Sequence, residues 1–226
     1  MQRPLRVVLT FLVGGAIFVA LPLAAWGLGD VRGFASDGVR LAYVVVGLAL
    51  NAVAAARVPG GGAPREAARR TVGRQKLAVL VLQIVPLALV AVAPWGDRRG
   101  VGTLPDAPSL RAVGLAAYAV GFLLVHGSEV HLGRLFSVQV EVQEGHRLVT
   151  DGPFRLVRHP RYAGILLFLS GIALVFRSWL ALALVVPVLA VLLWRIADEE
   201  ALLRETFGPE WDAYAGRTRR LVPFAW

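Results

Sequence analysis

Two short stretches of this sequence combine side chains that could bind a charged ligand. The first is residues 158–161, Arg-His-Pro-Arg, which immediately precede an apolar run beginning at Tyr162. Proline suits the first turn of a helix, and the free N–H groups of such a turn attract anions. The stretch could therefore bind a carboxylate or a phosphate of a ligand. Its charges could equally contact lipid headgroups or an internal carboxylate such as Asp151.

The second stretch places Arg195 four residues before Glu199, so that the two side chains share a face of a helix. One interpretation is a surface ion pair worth about 0.2–0.5 kcal/mol. In the other interpretation the pair faces a ligand, with Glu199 binding a cationic group and Arg195 binding a carboxylate. An acidic residue at the end of a membrane helix is costly, which favours a functional role.

A third group, His126, Glu129 and His131, contains side chains of the types that bind metal ions. His126 and Glu129 share a helical face, but His131 does not follow helical spacing from either. We therefore expect no metal site and interpret the three as interfacial residues that cap an apolar segment. The sequence contains no cysteine, which excludes disulfides, thiolate metal sites and a cysteine nucleophile.

The elements that must position these residues are apolar. Of the 226 residues, 57% are hydrophobic and only 17% are charged, and the mean hydropathy is +0.63. This balance is unlike that of a soluble domain. The sequence predicts an all-α fold, a polytopic membrane helical bundle of about six transmembrane helices that ends in a helical hairpin. The six candidate spans are residues 7–29, 41–56, 77–96, 112–128, 162–176 and 178–194.

The basic residues are distributed unevenly between the two sides of such a bundle. With a cytoplasmic N-terminus, 18 of the 24 Lys and Arg residues fall on the cytoplasmic side. Positive loops stay in the cytoplasm, so both termini are predicted to be cytoplasmic. The net charge of +9 then reflects topology and attraction to anionic membrane lipids, and we expect no nucleic-acid partner. A composition rich in Ala, Val, Leu, Arg and Gly is typical of a bacterial protein, so we predict that this protein is located in a bacterial inner membrane.

Two predicted cytoplasmic segments, residues 127–161 and 195–226, are long enough to carry function. We therefore predict two regions: transmembrane helices one to four in residues 1–126, and a catalytic region in residues 127–226 that contains the hairpin, 162–194. Alternating apolar residues from Phe136 to Val142 predict a short extended segment. The glycines at 60–62 lack a following Lys-Ser/Thr, so we interpret them as a linker, not a phosphate-binding loop.

Several ordered blocks in the second region carry a family signature. They read LGRLFS at 132–137, EGHRLVTDGPF at 144–154, RHPRYAG at 158–164 and, after the hairpin, EEALLRETFGPEWDAY at 199–214. In type and spacing these blocks resemble the isoprenylcysteine carboxyl methyltransferase family, over about 95 residues from Leu132 to the end. The resemblance implies an integral membrane methyltransferase that uses S-adenosylmethionine. Its implied substrate is a lipophilic small molecule or a prenylated substrate that enters from the bilayer.

The resemblance also implies roles for individual residues. Arg195 and Arg158 are the expected catalytic residues, and Arg195 also faces the substrate. Phe154 stands where the family usually has Tyr, so a hydroxyl contact is missing there. The implied cofactor-binding residues are Gln139, His146, Arg147, Leu148, Val149, Phe154, His159, Pro160, Arg161, Tyr162 and Glu199.

The methyl acceptor that the resemblance implies is a carboxylate. Its oxygen is already ionised near neutral pH, so its methylation would need no general base. An amine or thiol acceptor would need a base, and Glu199 and His159 are the candidates. Two other functions stay open at this point. One is a membrane sterol-type reductase that uses NADPH, and the other is a non-enzymatic membrane transporter or scaffold.

Overall fold

The computed structural model describes residues 3–57, 68–71, 76–136, 141–143 and 147–223, and helices dominate it. A π-helical turn, Ala16–Ala20, joins the first two helices into one continuous rod. Two short strands, β1 (Ala68–Thr71) and β2 (Glu141–Gln143), pair antiparallel with Thr71 opposite Glu141. The helices are α1 (Arg3–Gly15), α2 (Leu21–Trp26), α3 (Val31–Ala35), α4 (Gly38–Arg57), α5 (Lys76–Arg99), α6 (Pro108–Leu132), α7 (Pro160–Val175), α8 (Trp179–Phe207) and α9 (Pro209–Arg217).

Five of the described helical segments are long and apolar enough to cross a membrane. A sixth, α7, is also apolar apart from its first turn, which contains Arg161, and Ser170, but it is only 16 residues long. It is followed at once by α8, as the predicted hairpin requires. The all-α membrane bundle predicted from the sequence is therefore confirmed. The five long segments are Pro4–Trp26, Gly38–Arg57, Leu77–Arg99, Pro108–Leu132 and Trp179–Phe207.

The last membrane helix is longer than the apolar run that predicted it. The sequence places its end at residue 194, whereas α8 continues to Phe207. The intervening residues are mostly Ala, Leu, Glu and Arg, which favour helix. The helix ends only at Gly208, whose φ of 52° an L side chain rarely adopts, and Pro209 then begins α9. The residues after 194 are thus held on a rigid helix.

The extended segment predicted between Phe136 and Val142 is seen only at its end, where Glu141–Gln143 forms β2. Residues 137–140 and the glycines at 60–62 lie outside the described residues.

Helices α6 and α7 pack backbone against backbone through glycine. A Cβ atom placed on Gly121 would lie 2.7 Å from the carbonyl oxygen of Gly164, and one on Gly171 would lie 2.7 Å from that of Gly114. In each helix the two glycines are seven residues apart, which places them on one face. Small residues allow membrane helices to approach this closely. The packing fixes α7, whose first turn carries Tyr162.

We expect Gly121→Ala to lower the free energy of unfolding by roughly 1–3 kcal/mol, because the new methyl group must push α6 and α7 apart. Gly127→Ala in the same helix is the control, since its Cβ would meet nothing within 4 Å. Unfolding of the detergent-purified protein, followed by circular dichroism, measures both. Equal stability of the two variants would contradict the proposed glycine contact.

An ionic cluster lies at the end of the bundle away from the first turn of α7. Asp97 lies near the end of α5, and the residue is only 5% exposed. It accepts hydrogen bonds from Arg40 at 3.2 Å, Arg111 at 3.2 Å and Arg177 at 2.6 Å. Since these arginines come from α4, α6 and the α7–α8 turn, one carboxylate joins four parts of the bundle.

Candidate active site

The first turn of α7 is held in place by the end of the chain. The backbone N–H groups of Arg158 and His159 donate to the carbonyl oxygens of Arg219 at 2.7 Å and Arg220 at 3.0 Å. His159 is then the N-cap of α7, and Pro160 occupies the first helical position. The helix thus begins two residues before the predicted span, and the expected place of Pro160 in its first turn is confirmed. With the backbone held in this way, the side chains of Arg158, His159 and Tyr162 contact α8.

Arg195, Tyr162 and Glu199 form a buried hydrogen-bonded triad. The Tyr162 hydroxyl donates to Glu199 Oε1, and Arg195 Nε donates to the Tyr162 hydroxyl oxygen at 2.9 Å. Arg195 Nε also lies 3.5 Å from Glu199 Oε1. The predicted common face of Arg195 and Glu199 is present, but Arg195 is only 3% exposed. The pair is therefore not a surface ion pair, and Tyr162 ties it to α7.

His159 lies between two carboxylates of α8. Its Nδ1 is 3.4 Å from Glu199 Oε2, its Nε2 is 3.3 Å from Glu200 Oε1, and its ring stacks on that of Tyr162 with centroids 5.6 Å apart. Burial alone would lower the pKa of this imidazole, but the hydrogen bonds and charges of Glu199 and Glu200 outweigh burial and raise it. The protonated ring thereby compensates the two neighbouring acidic side chains.

This raised pKa gives a pH dependence with a definite sign. Because the folded state holds the His159 proton more tightly than the unfolded chain, the stabilisation is complete below the ordinary histidine pKa of about 6.5 and is lost as the pH rises through the folded value. We expect the unfolding midpoint in detergent to fall over that interval, and His159→Gln to flatten the fall. His131→Gln serves as the control and should keep the wild-type profile. A wild-type profile in the His159→Gln variant would contradict this assignment.

Glu200 is the acidic centre of a second set of contacts, and sequence reasoning missed it. Its Oε1 accepts from Arg158 Nε at 2.8 Å, and its Oε2 accepts from Arg220 Nη2 at 2.9 Å. Arg158 also donates to the carbonyl oxygen of Ala215 at 3.0 Å. The catalytic role predicted for Arg158 stays a prediction, while its contacts join α8 to the segment around α9. The sequence did contain one signal. Basic residues outnumber acidic residues around the first turn of α7, which indicates that a carboxylate from elsewhere in the chain must compensate them.

A cavity of about 380 Å³ lies beside the triad among the membrane helices. Arg195 lines it from α8, and Arg161 lines it from α7. At the same polar end, Glu129 accepts from Arg161 Nε at 3.0 Å and contacts His126 Nδ1 at 2.9 Å. The remaining lining side chains are Phe18, Val79, Leu82, Gln83, Pro86, Phe122, Val125, Ile165, Phe168 and Leu169.

The three candidate metal ligands do not lie together, because His131 pairs with a different residue, Asp151. His126 contacts Glu129, as their helical spacing predicts, whereas His131 Nε2 lies 3.0 Å from Asp151 Oδ1. Asp151 is thus the partner of His131, while the internal carboxylates near residues 158–161 are Glu129, Glu199 and Glu200.

The other predicted cofactor-binding residues lie in the segment before α7. Arg147 is exposed, Leu148 and Val149 are half-buried, and Gln139 and His146 lie outside the described residues. Phe154 is half-buried in the 3-10 turn Gly152–Arg155, and its carbonyl oxygen accepts from the Tyr214 hydroxyl at 2.7 Å. The structure therefore brings His159, Tyr162, Arg195 and Glu199 together. Arg161 lies on the cavity side of the first turn of α7.

Comparison with known proteins finds similarity in this same part of the chain. Residues 110–210 match the sequence model of a family described as phospholipid methyltransferase. Probable protein-S-isoprenylcysteine O-methyltransferase of Oryza sativa subsp. indica is 32% identical over 119 residues, which is 50% of this chain and 60% of that protein. Protein-S-isoprenylcysteine O-methyltransferase B of Arabidopsis thaliana is 32% identical over 114 residues, 49% of this chain and 58% of that protein.

A third relative, protein-S-isoprenylcysteine O-methyltransferase of Schizosaccharomyces pombe (strain 972 / ATCC 24843), is 31% identical over 117 residues, 46% of this chain and 48% of that protein. The chain thus spans 60% or less of the length of these curated relatives. The family match includes most of α6 and all of α7 and α8, and so contains the triad and His159. Residues 110–210, which carry Tyr162, Arg195 and Glu199, are therefore the part of the chain that is similar to the phospholipid methyltransferase family.

Proposed function

We propose that this protein is an integral membrane enzyme that transfers a methyl group from S-adenosylmethionine to the carboxylate of a lipophilic acceptor. The observation that carries the proposal is the position of Arg195. Arg195 lines the membrane cavity, and its Nε also contacts the Tyr162 hydroxyl and Glu199. One side chain thereby joins a cavity suited to an acceptor with an acidic site suited to a cofactor.

The composition of the cavity supports an acceptor with an anionic head and an apolar tail. Arg161 and Arg195 bring two positive charges to the polar end, and Glu129 brings one negative charge. The two arginines and the one glutamate of the lining sum to a charge of +1, which favours an anionic group such as a single carboxylate. A guanidinium can bind both carboxylate oxygens and so fix the orientation of the group. The apolar walls would bury the tail, as ligand cavities usually do.

The residues on the other side of the triad fit the chemistry of the cofactor. S-adenosylmethionine carries an ammonium group that a carboxylate such as Glu199 can bind, and a sulfonium that the face of Tyr162 favours. The half-buried Leu148, Val149 and Phe154 offer apolar contacts for its adenine. His159, Pro160 and Arg161 complete this predicted site, together with Arg147 and the more distant predictions Gln139 and His146. When bound, the cofactor supplies an activated methyl group.

The task of the protein is then alignment. A carboxylate is ionised near neutral pH, so a base is not required. Proximity and orientation can supply about 7–11 kcal/mol toward such a reaction. Arg195 would hold the carboxylate at the polar end of the cavity, and Tyr162 would fix Arg195 through its hydroxyl group. The names of the relatives make an S-prenylated cysteine analogue the first acceptor to test.

Calorimetric titration of the detergent-purified protein with S-adenosylhomocysteine tests the proposal. We expect saturable binding that Glu199→Gln weakens and that Glu210→Gln, an exposed glutamate on α9, leaves unchanged. NADPH is the contrasting ligand. Binding of NADPH without binding of S-adenosylhomocysteine would overturn the proposal in favour of a sterol-type reductase. Binding of neither ligand by folded protein would favour a membrane transporter or scaffold.

A further inference from the structure

One wall of the membrane cavity comes from the first helical rod, outside the region of family similarity. Phe18 lies in the π-helical turn Ala16–Ala20 and lines the cavity. Its ring packs edge to face on that of Phe168 in α7, with centroids 5.2 Å apart and planes at 89°. Phe168 in turn lies 5.9 Å from the ring of Phe122. Three aromatic rings from three helices therefore close one part of the cavity.

A polar contact fixes the position of Phe18. The rod that carries it is scarcely buried, since only 6% of its apolar window lies inside the bundle. Asn51 of α4 is nevertheless buried and donates from Nδ2 to the carbonyl oxygen of Phe11 at 2.8 Å. Its side chain occupies the space beside Gly14, where a Cβ would lie 2.6 Å from Asn51 Nδ2. A side-chain hydrogen bond between membrane helices thus anchors the rod one turn before the π-helical segment.

Within the aromatic wall, Phe168 is separated from the polar end of the cavity along α7. Arg161 lies in the first turn and Phe168 follows seven residues later, which corresponds to a rise of about 10 Å. A ligand whose head contacts Arg161 and Arg195 would extend its tail along this face toward Phe168. Phe18 packs on Phe168 and lines the cavity with it, so it would contact the far part of such a tail. π-helical turns are often found at functional sites, and this one presents Phe18 to the cavity.

We propose that Phe18 determines the length of the acceptor tail. This inference rests on the proposed function, because it takes the cavity as the acceptor site. A tail that exceeds the cavity would collide with the ring of Phe18, and a shorter tail would leave apolar surface without contacts. A hydrophobic pocket discriminates a single methylene by about 10–200-fold. The first rod would thereby select the acceptor, while residues 110–210 carry out the transfer.

The experiment uses the full chain in detergent and a series of N-acetylcysteine thioethers whose S-alkyl tails lengthen by single methylene groups. Both kcat/KM for methylation and equilibrium binding are measured for each tail. We expect Phe18→Leu to shift the optimum to longer tails and Phe18→Trp to shift it to shorter ones. The ratio of long-tail to short-tail kcat/KM should change by roughly tenfold or more in opposite directions. Phe11→Leu is the matched control, because Phe11 lies on the same rod, is 36% exposed and is absent from the described cavity lining.

The outcomes separate this inference from the proposed function. If the wild type is active and both Phe18 variants keep its tail optimum, the inference is wrong and the proposed function stands. If no acid is methylated but the binding optimum shifts with Phe18 as expected, the assignment of Phe18 stands and the proposed function fails. A shift produced equally by Phe11→Leu would also overturn the inference, since it would reflect the rod as a whole. Affinity for S-adenosylhomocysteine should not change in any of the three variants.

Discussion

Arg195→Ala is expected to lower kcat by about 10²–10³-fold or more while leaving the affinity for S-adenosylhomocysteine nearly unchanged. The side chain lines the cavity and is hydrogen-bonded to Tyr162, so its loss removes the group that orients the acceptor carboxylate. Glu199→Gln should show the opposite pattern. Removing a charged partner costs about 1.5–3 kcal/mol, which corresponds to a cofactor affinity weaker by roughly tenfold or more. Calorimetry and a labelled-methyl assay measure the two effects separately.

Arg204→Ala controls for the loss of a positive charge on α8, because Arg204 is exposed and pairs only with the α9 residue Asp212 among its described contacts. It should leave both methyl transfer and the affinity for S-adenosylhomocysteine unchanged.

Tyr162→Phe tests the connection between the two halves of the site. Its hydroxyl donates to Glu199 and accepts from Arg195, so we expect a partial loss in both measurements. Equal loss of cofactor affinity in Arg195→Ala and Glu199→Gln would show that the proposed division of roles is wrong.

Asp97→Ala should lower the free energy of unfolding by about 3–5 kcal/mol. The substitution leaves the guanidinium groups of Arg40, Arg111 and Arg177 without the carboxylate that joins them in a region sheltered from water. Arg111 keeps its ion pair with Asp37, but the cluster loses the carboxylate that all three arginines share, and removing one member of a buried ionic group is costly. Unfolding of the purified protein in detergent measures the loss. Since the cluster lies away from the triad, the folded variant should retain its affinity for S-adenosylhomocysteine.

Asp106→Asn is the matched control for Asp97. Its side chain is 61% exposed and contacts Arg177 at 3.5 Å, so the substitution should cost no more than about 1 kcal/mol. If Asp97→Ala were as stable as Asp106→Asn, the three arginines would have to be compensated by other groups, and the role of Asp97 as the link between α4, α5 and α6 would be refuted.

Sequence reasoning was most successful where a property belongs to one continuous segment. Each apolar run that it identified corresponds to a described helix, and the four-residue spacing of Arg195 and Glu199 places them on one face. It was least successful at the end of α8, where helix-forming residues without apolar character extend the helix past residue 194. It also gave no role to Glu200, because the partners of that carboxylate, Arg158 and Arg220, are 42 and 20 residues away.

By itself, the sequence determined the membrane class, the helical hairpin and the segment that carries the candidate site. These follow from local composition and spacing, since partition into a bilayer and helix formation depend on neighbouring residues. Three contacts became visible only in the folded chain. Tyr162 links Arg195 to Glu199, which lies 37 residues after Tyr162, and Asp97 joins arginines as far as 80 residues away. Phe18 also reaches the cavity. The reason is physical: contacts between helices depend on which small residues let backbones approach and on which buried charges must find partners.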